Sequence, residues 1–243
     1  MENEELKVTR FRYYDSVTLA TYYLLLTAIF ITASCATTRY KTETYPKASY
    51  AGTGYIIASW YGSDFHGKPT SSGEPFNMYA KTCAHKEYPF GTRLKVTNTS
   101  NGKTVECTVN DRGPFVSGRD LDLSYACAKE IELTGTGTGK VKIDYLGRDT
   151  RYVKEVRYSS GVSTGPFTIQ VGSYKEVSNA TRMKTALEFK YSKVYIIEVE
   201  LNDVKYYRVS IGKFNTKDDA YRLAKTLADE GYSILIKHYD ERI

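Results

Sequence analysis

At 243 residues, with 41% hydrophobic and 26% charged side chains, the chain has the composition of a globular protein with room for two small domains, which excludes a disordered polymer. A net charge of +6 is too mild to make nucleic acid the expected partner, and three histidines without a Cys-x-x-Cys pair leave a metal or other cofactor without support. The 23 tyrosines suit cross-strand packing or flat surfaces that stack on sugars or bases.

The chain opens with Lys7, Arg10 and Arg12, an apolar run from Val17 to Ile31, and then Thr32-Ala33-Ser34-Cys35. The run is short of the roughly 20 residues that span a bilayer and has the form of a secretory signal. Its end resembles a bacterial lipobox, in which the cysteine is acylated and becomes the new N-terminus. Thr32 stands where Leu is usual, and an ordinary signal peptide or signal anchor is the alternative. Residues 1–34 are thus expected to be a lipoprotein signal peptide, with Cys35 lipidated. Residues 35–51, polar and aperiodic, are expected to be a tether reaching on the order of 50 Å. Cys83, Cys107 and Cys127 then remain. Either Cys83 and Cys107 pair across strand-like stretches, or all three are small buried thiols, the plainer expectation.

Residues 52–148 read mostly as short strands: "YIIASWYG", "TRLKVTN", "KTVECTVN" and "KVKIDYL" alternate and are β-branched. Asn101-Gly102 is a hairpin signal between the middle two. "LSYACAKEIEL" reads as one helix, with Ser124 as its cap and Ala126, Ala128, Ile131 and Leu133 on its buried side. Strands at this spacing with one helix predict a compact β-barrel.

Residues 149–165 read as a linker. From 166 to 243 the order is βαββαβ: "FTIQVGSY", "NATRMKTALEFKYS", "VYIIEVEL", "VKYYRVSIG", "TKDDAYRLAKTLADEG" and "YSILIKHY". The segment repeats itself at an offset of 40, with Gly172 on Gly212, Tyr174 on Phe214, Ala180 on Ala220 and Leu187 on Leu227. Two such halves predict a split-βαβ sheet with both helices on one face. Alternation directs Ile169, Val171, Val209 and Ile211 at the helices. It leaves Thr168, Gln170, Gly172, Tyr206, Arg208 and Ser210 on an open face. An amide, a guanidinium and an aromatic on one face suit stacked bases or sugars; export favours glycan.

The stretch "VNDRGPFVSGRDLDLS", 109–124, sets Asp111 where a strand ends. Taken singly, Asp111 reads as an Asx-turn residue, Glu74 in "SSGEPF" as a solvated turn residue, and His85 as a structural histidine. Asp120 and Asp122 read as structural, one anchoring a loop and the other capping the helix near Ser124. Taken in order, "ASWYG", "FHGK.T.SGE.F", "CAHK..PFGT", "NDRGPF" and "GRDLDLS" closely resemble the rare lipoprotein A family, and "F.IQVGSY…YRVSIGKF" resembles the sporulation-related repeat.

The resemblance implies a mainly β plus α+β chain, with a double-psi β-barrel at 52–148 followed by a βαββαβ split-βαβ peptidoglycan-binding domain at 166–243. It implies a lytic transglycosylase that cleaves the MurNAc-β-1,4-GlcNAc bond of peptide-stripped strands to 1,6-anhydro ends, without cofactor or metal. Asp111, Glu74 and His85 match the family's functional positions. Asp111 is expected to be the main acid/base, with Glu74 assisting from the same cleft; burial or the paired carboxylates raise the acid's pKa, Arg112, if close, holds Asp111 charged, and His85 orients or stabilises the sugar. Gln170, Ser173 and Arg208 are expected to bind glycan, Ser173 by resemblance alone. The implied partners are peptidoglycan strands, a membrane through the lipid and cell-division proteins. The implied place is the cell envelope, on the outer membrane facing the periplasm if the cell is Gram-negative. An expansin-like binding module and a division-site scaffold are the competing readings.

Overall fold

The computed structural model describes residues 53–240; the expected signal peptide, Cys35 and the tether lie outside the described residues. Six strands close a barrel: β1 (Thr53–Tyr61), β2 (Thr82–His85), β3 (Thr92–Asn98), β4 (Thr104–Asp111), β5 (Leu121–Ser124) and β6 (Thr138–Arg148), in the order β1-β5-β2-β4-β3-β6. Two pairings, β1 with β5 and β2 with β4, are parallel; the others are antiparallel. This is the predicted double-psi β-barrel. In β3, Leu94 and Val96 are buried while Arg93 and Lys95 are exposed, and Val105, Cys107 and Val109 of β4 face the same interior.

Three expectations for this domain change. Cys83 and Cys107 form a disulfide, and only Cys127 among the described cysteines is free, buried on the helix. Local sequence does not show that β2 lies beside β4, which is what brings the two sulfurs together. The stretch "LSYACAKEIEL" reads as one helix, but its first two residues, Leu123 and Ser124, belong to β5. The helix α1 (Tyr125–Glu130) begins after it, with Ser124 Oγ accepting from the Cys127 amide. That phase turns Cys127 and Ala128 inward and leaves Ala126 half-buried.

The expected linker at 149–165 contains an Asp149-capped 3-10 turn and a short strand, β7 (Val156–Tyr158). Three residues carry too little pattern to be read as a strand. Then come β8 (Phe167–Tyr174), α2 (Val177–Glu188), β9 (Val194–Leu201), β10 (Val204–Phe214), α3 (Lys217–Glu230) and β11 (Ile234–His238), the predicted βαββαβ order. The sheet order is β7-β11-β8-β10-β9. Thr216 caps α3, with its hydroxyl accepting from the Asp219 amide. Gly231 ends α3 at φ 103°, where a Cβ would stand 2.9 Å from Phe90 of the barrel.

Ile169, Val171, Val209 and Ile211 are buried beneath the helices as predicted. The opposite face is less open than alternation implies. Tyr195 pairs with Ser210, and its hydroxyl is 2.6 Å from Thr168 Oγ1, so Thr168 and Ser210 are fully buried. A register shift between Val209 and Ser210 sets Gly172 opposite Val209 and Ser173 opposite Arg208. The bulge thus turns Ser173, not Gly172, to the face shared with Gln170 and Arg208.

Candidate active site

Strand β4 delivers Asp111 to the barrel mouth, and the chain turns away through Gly113 at φ 131°, a conformation strained for any side-chain-bearing residue. Asp111 lines a cleft of about 510 Å³ together with Asp122 of β5. Trp60, Tyr61, Phe65 and Phe115 form aromatic walls, and Phe65 and Phe115 each remain 38% exposed, leaving ring surface for a sugar.

The Asp111 carboxylate is 7% exposed as a residue and accepts two backbone N–H bonds on one oxygen, from Ser71 at 2.8 Å and from Arg112 at 2.8 Å. Burial pushes its pKa up, opposed by the hydrogen bonds from Ser71 and Arg112 and by the charge of Arg182. Asp122 is raised too, again by burial, opposed by a bond from Ser59 Oγ and by Arg119, whose guanidinium is 3.3 Å away. Asp122 is therefore not a helix cap; that place belongs to Ser124. Asp120 does anchor a loop, accepting from the Ile57 amide at 3.2 Å. The Tyr61 hydroxyl, buried and without a hydrogen-bond partner among the described residues, also belongs to the cleft. Tyr61 and Asp122 lie within the motifs "ASWYG" and "GRDLDLS", but neither was assigned to the cleft, because their places there follow from barrel closure. The alternation of "ASWYG" on one side and "DLDLS" on the other was the available signal.

The Arg112 side chain does not hold Asp111 charged. Its guanidinium turns away, lies 3.8 Å from the Phe90 ring centre, and donates to Tyr88 O at 2.8 Å and to the Tyr232 hydroxyl at 2.7 Å. It is buried where the barrel meets the second domain, a junction closed by Phe90 N–H to Glu230 O and Lys154 N–H to Ala228 O, both 2.9 Å.

Glu74 and His85 do not line the cleft with Asp111. Glu74 accepts from Asn110 Nδ2 at 2.9 Å and from the Tyr152 hydroxyl at 3.1 Å. It thereby fastens the 69–75 loop against β4, the loop whose Ser71 amide grips Asp111. The rise in Asp111 comes first from burial, not from a neighbouring carboxylate.

His85 Nδ1 accepts from the amides of Glu87 and Tyr88 at 3.0 and 3.1 Å, so the neutral ring carries its proton on Nε2. Burial first, then Arg112, lower its pKa from 6.5 to about 3. The unfolded chain takes up this proton near 6.5 and the native chain only near 3. The associated stability is therefore whole above pH 6.5 and is lost as pH falls towards 3. Urea unfolding across that interval should show wild type losing stability more steeply than His85→Gln; parallel profiles would contradict the assignment.

In the second domain Gln170 and Arg208 are half-buried and Ser173 is exposed, all three on one sheet face. Lys237, opposite Thr168, shares that face, and its pKa is lowered by burial and by Arg208. Among the described residues no cluster of His, Cys, Asp and Glu is arranged to hold a metal ion.

A family model described as lytic transglycolase matches residues 53–143, and a SPOR domain model matches residues 163–236. Curated proteins named endolytic peptidoglycan transglycosylase RlpA are similar over most of the chain. The one from Campylobacter jejuni is 35% identical over 204 residues, covering 77% of this chain and 74% of that protein. The one from Vibrio cholerae is 37% identical over 186 residues, covering 76% and 69%. The one from Helicobacter pylori strain J99 is 36% identical over 183 residues, covering 68% of this chain but only 58% of that protein, so the chain spans little more than half of that relative.

Proposed function

Because the chain belongs to the RlpA family of endolytic peptidoglycan transglycosylases, we propose that its barrel cleaves the β-1,4 bond from MurNAc to GlcNAc in peptide-stripped strands. The muramyl O6 attacks its own C1, the bond to the GlcNAc O4 breaks, and a 1,6-anhydro end remains without use of water. The GlcNAc oxygen gains one proton and O6 loses one, so a single group that first donates and then accepts closes the balance. Asp111 suits both acts. Burial favours its protonated form, and its two backbone donors steady the carboxylate once the proton has left.

Asp122, backed by Ser59 and Arg119, faces the positive charge that develops at C1. Glu74 positions the loop that grips Asp111, and His85 offers a neutral Nε2–H. The observation that carries the reading is a buried carboxyl at the mouth of an aromatic-walled cleft. Mass spectrometry of stripped glycan incubated with the protein tests it. Anhydro-muramyl ends are expected; binding without them would leave an expansin-like module.

The same reading makes Gln170, Ser173 and Arg208 a glycan platform. Losing hydrogen bonds to a ligand costs about 1–3 kcal/mol each, so Gln170→Ala/Arg208→Ala should weaken sedimentation with stripped sacculi by roughly tenfold or more. Wild-type sedimentation of that variant would move the platform elsewhere.

The family and the SPOR domain imply a cell-envelope protein bound to peptidoglycan. The proposal adds lipid at Cys35, outer-membrane placement in a Gram-negative cell, and cell-division proteins as further partners. At about 0.8 kcal/mol per buried CH₂, two or three acyl chains give lasting attachment. Cys35→Ala should appear in the soluble fraction or retain its uncleaved mass, and unchanged fractionation with unchanged mass would refute the anchor.

A further inference from the structure

Arg182 belongs to helix α2 of the second domain, yet it lines the cleft of the first. It is half-buried, its guanidinium sits 5.5 Å from the Phe65 ring centre, and it donates to Asn179 Oδ1 at 3.0 Å. The other two cations of the cleft are engaged: Arg119 pairs with Asp122, and Arg112 is buried in the domain junction. Among the described residues Arg182 has no carboxylate within ion-pair distance. Its charge nevertheless reaches the cleft floor, where it acts on both Asp111 and Tyr61. Its partner Asn179 lines a second cavity, of about 400 Å³, together with Ser173 of the glycan platform. One guanidinium thus stands at the cleft wall, bonded to a residue of the neighbouring cavity, without an anion of its own among the described residues.

A cleft floored by two aspartates repels an anionic ligand wherever they are ionised, and a cation at the wall offsets that. Muramyl residues differ from glucosaminyl residues by a 3-O-lactyl group. With a stem peptide attached, that group ends in a neutral amide; stripped, it ends in a carboxylate. A guanidinium binds a carboxylate through two parallel charge-assisted bonds, and an amide oxygen cannot match that geometry. We propose that Arg182 is a specificity-determining residue, a carboxylate-reading subsite that binds the free lactyl carboxylate of a muramyl residue in the barrel cleft. The proposal rests on the transglycosylase reading above and deepens it: the second domain selects substrate for the first as well as holding strands.

The test uses the full chain as wild type, Arg182→Gln and Arg182→Lys on three glycans: peptide-stripped strands, stripped strands whose lactyl carboxylates have been converted to methylamides by carbodiimide coupling, and peptide-bearing strands. Wild type should prefer stripped over amidated strands by on the order of ten- to hundredfold in kcat/KM, the range of one charged hydrogen-bonded pair. Arg182→Gln should treat the two alike, and Arg182→Lys should keep part of the preference. Equal rates for wild type on stripped and amidated strands, or a wild-type preference ratio in Arg182→Gln, overturn the proposal. A preference for peptide-bearing strands that depends on Arg182 overturns it also, by assigning the carboxylate to the stem peptide.

Dissociation constants for short stripped and amidated muramyl oligosaccharides are measured on the same variants. If wild type cleaves none of the glycans, the activity fails while these constants still decide the subsite: an Arg182-dependent preference for the carboxylate form supports it, and none refutes it.

Discussion

Asp111→Asn is expected to fold normally and to lose anhydro-product formation by roughly 10²–10⁴-fold, the usual contribution of a general acid/base. The asparagine amide preserves volume and can still accept from the Ser71 and Arg112 amides, so the loop and the turn keep their places. What it cannot do is give a proton to the departing oxygen and take one from O6. Circular dichroism and an unchanged urea midpoint should accompany the lost activity. Asp120→Asn is the control: that side chain ties a loop to β1 and does not line the cleft, so its product yield should stay near wild type. Equal product from Asp111→Asn and wild type would put the chemistry elsewhere.

The second large effect is on stability. Arg112→Ala should cost about 3 kcal/mol, because it strips hydrogen bonds from the Tyr232 hydroxyl and the Tyr88 carbonyl and empties the space over the Phe90 ring. The contact with Glu230 adds little to this sum. At 3.9 Å it is not a hydrogen bond, and Glu230 keeps Lys190 at 2.9 Å. Since Arg112 clasps both domains, its loss should also split one urea transition into two, seen by comparing fluorescence with far-ultraviolet dichroism. A single transition at the wild-type midpoint would contradict this role.

The second domain was legible because its information is local. The duplicated half fixes strand and helix order, Thr216 and Gly231 mark the ends of α3, and Asn202-Asp203 closes its hairpin with two positive φ angles, 50° and 60°. What escaped depends on pairing between distant residues. The cysteine bridge needs β2 beside β4, the entry of Asp122 into the cleft needs β5 beside β1, and the burial of Ser210 needs Tyr195 across from it. The turn around Asp111 was readable from Asp-Arg-Gly-Pro, but the direction of the Arg112 side chain was not. Its partner Tyr232 is 120 residues away. Glu74 and His85 carried a family signal for importance, while their hydrogen bonds show support of a loop and a neutral ring outside the cleft.

The Cys83–Cys107 bridge joins β2 to β4, the two strands whose ends carry His85 and Asp111. Such bonds form and persist in oxidising compartments and not in the reducing cytosol. If the chain is exported as proposed, the barrel acquires this covalent constraint only after export. Under the proposed function, a chain retained in the cytosol would lack the crosslink that fixes those two strands to each other.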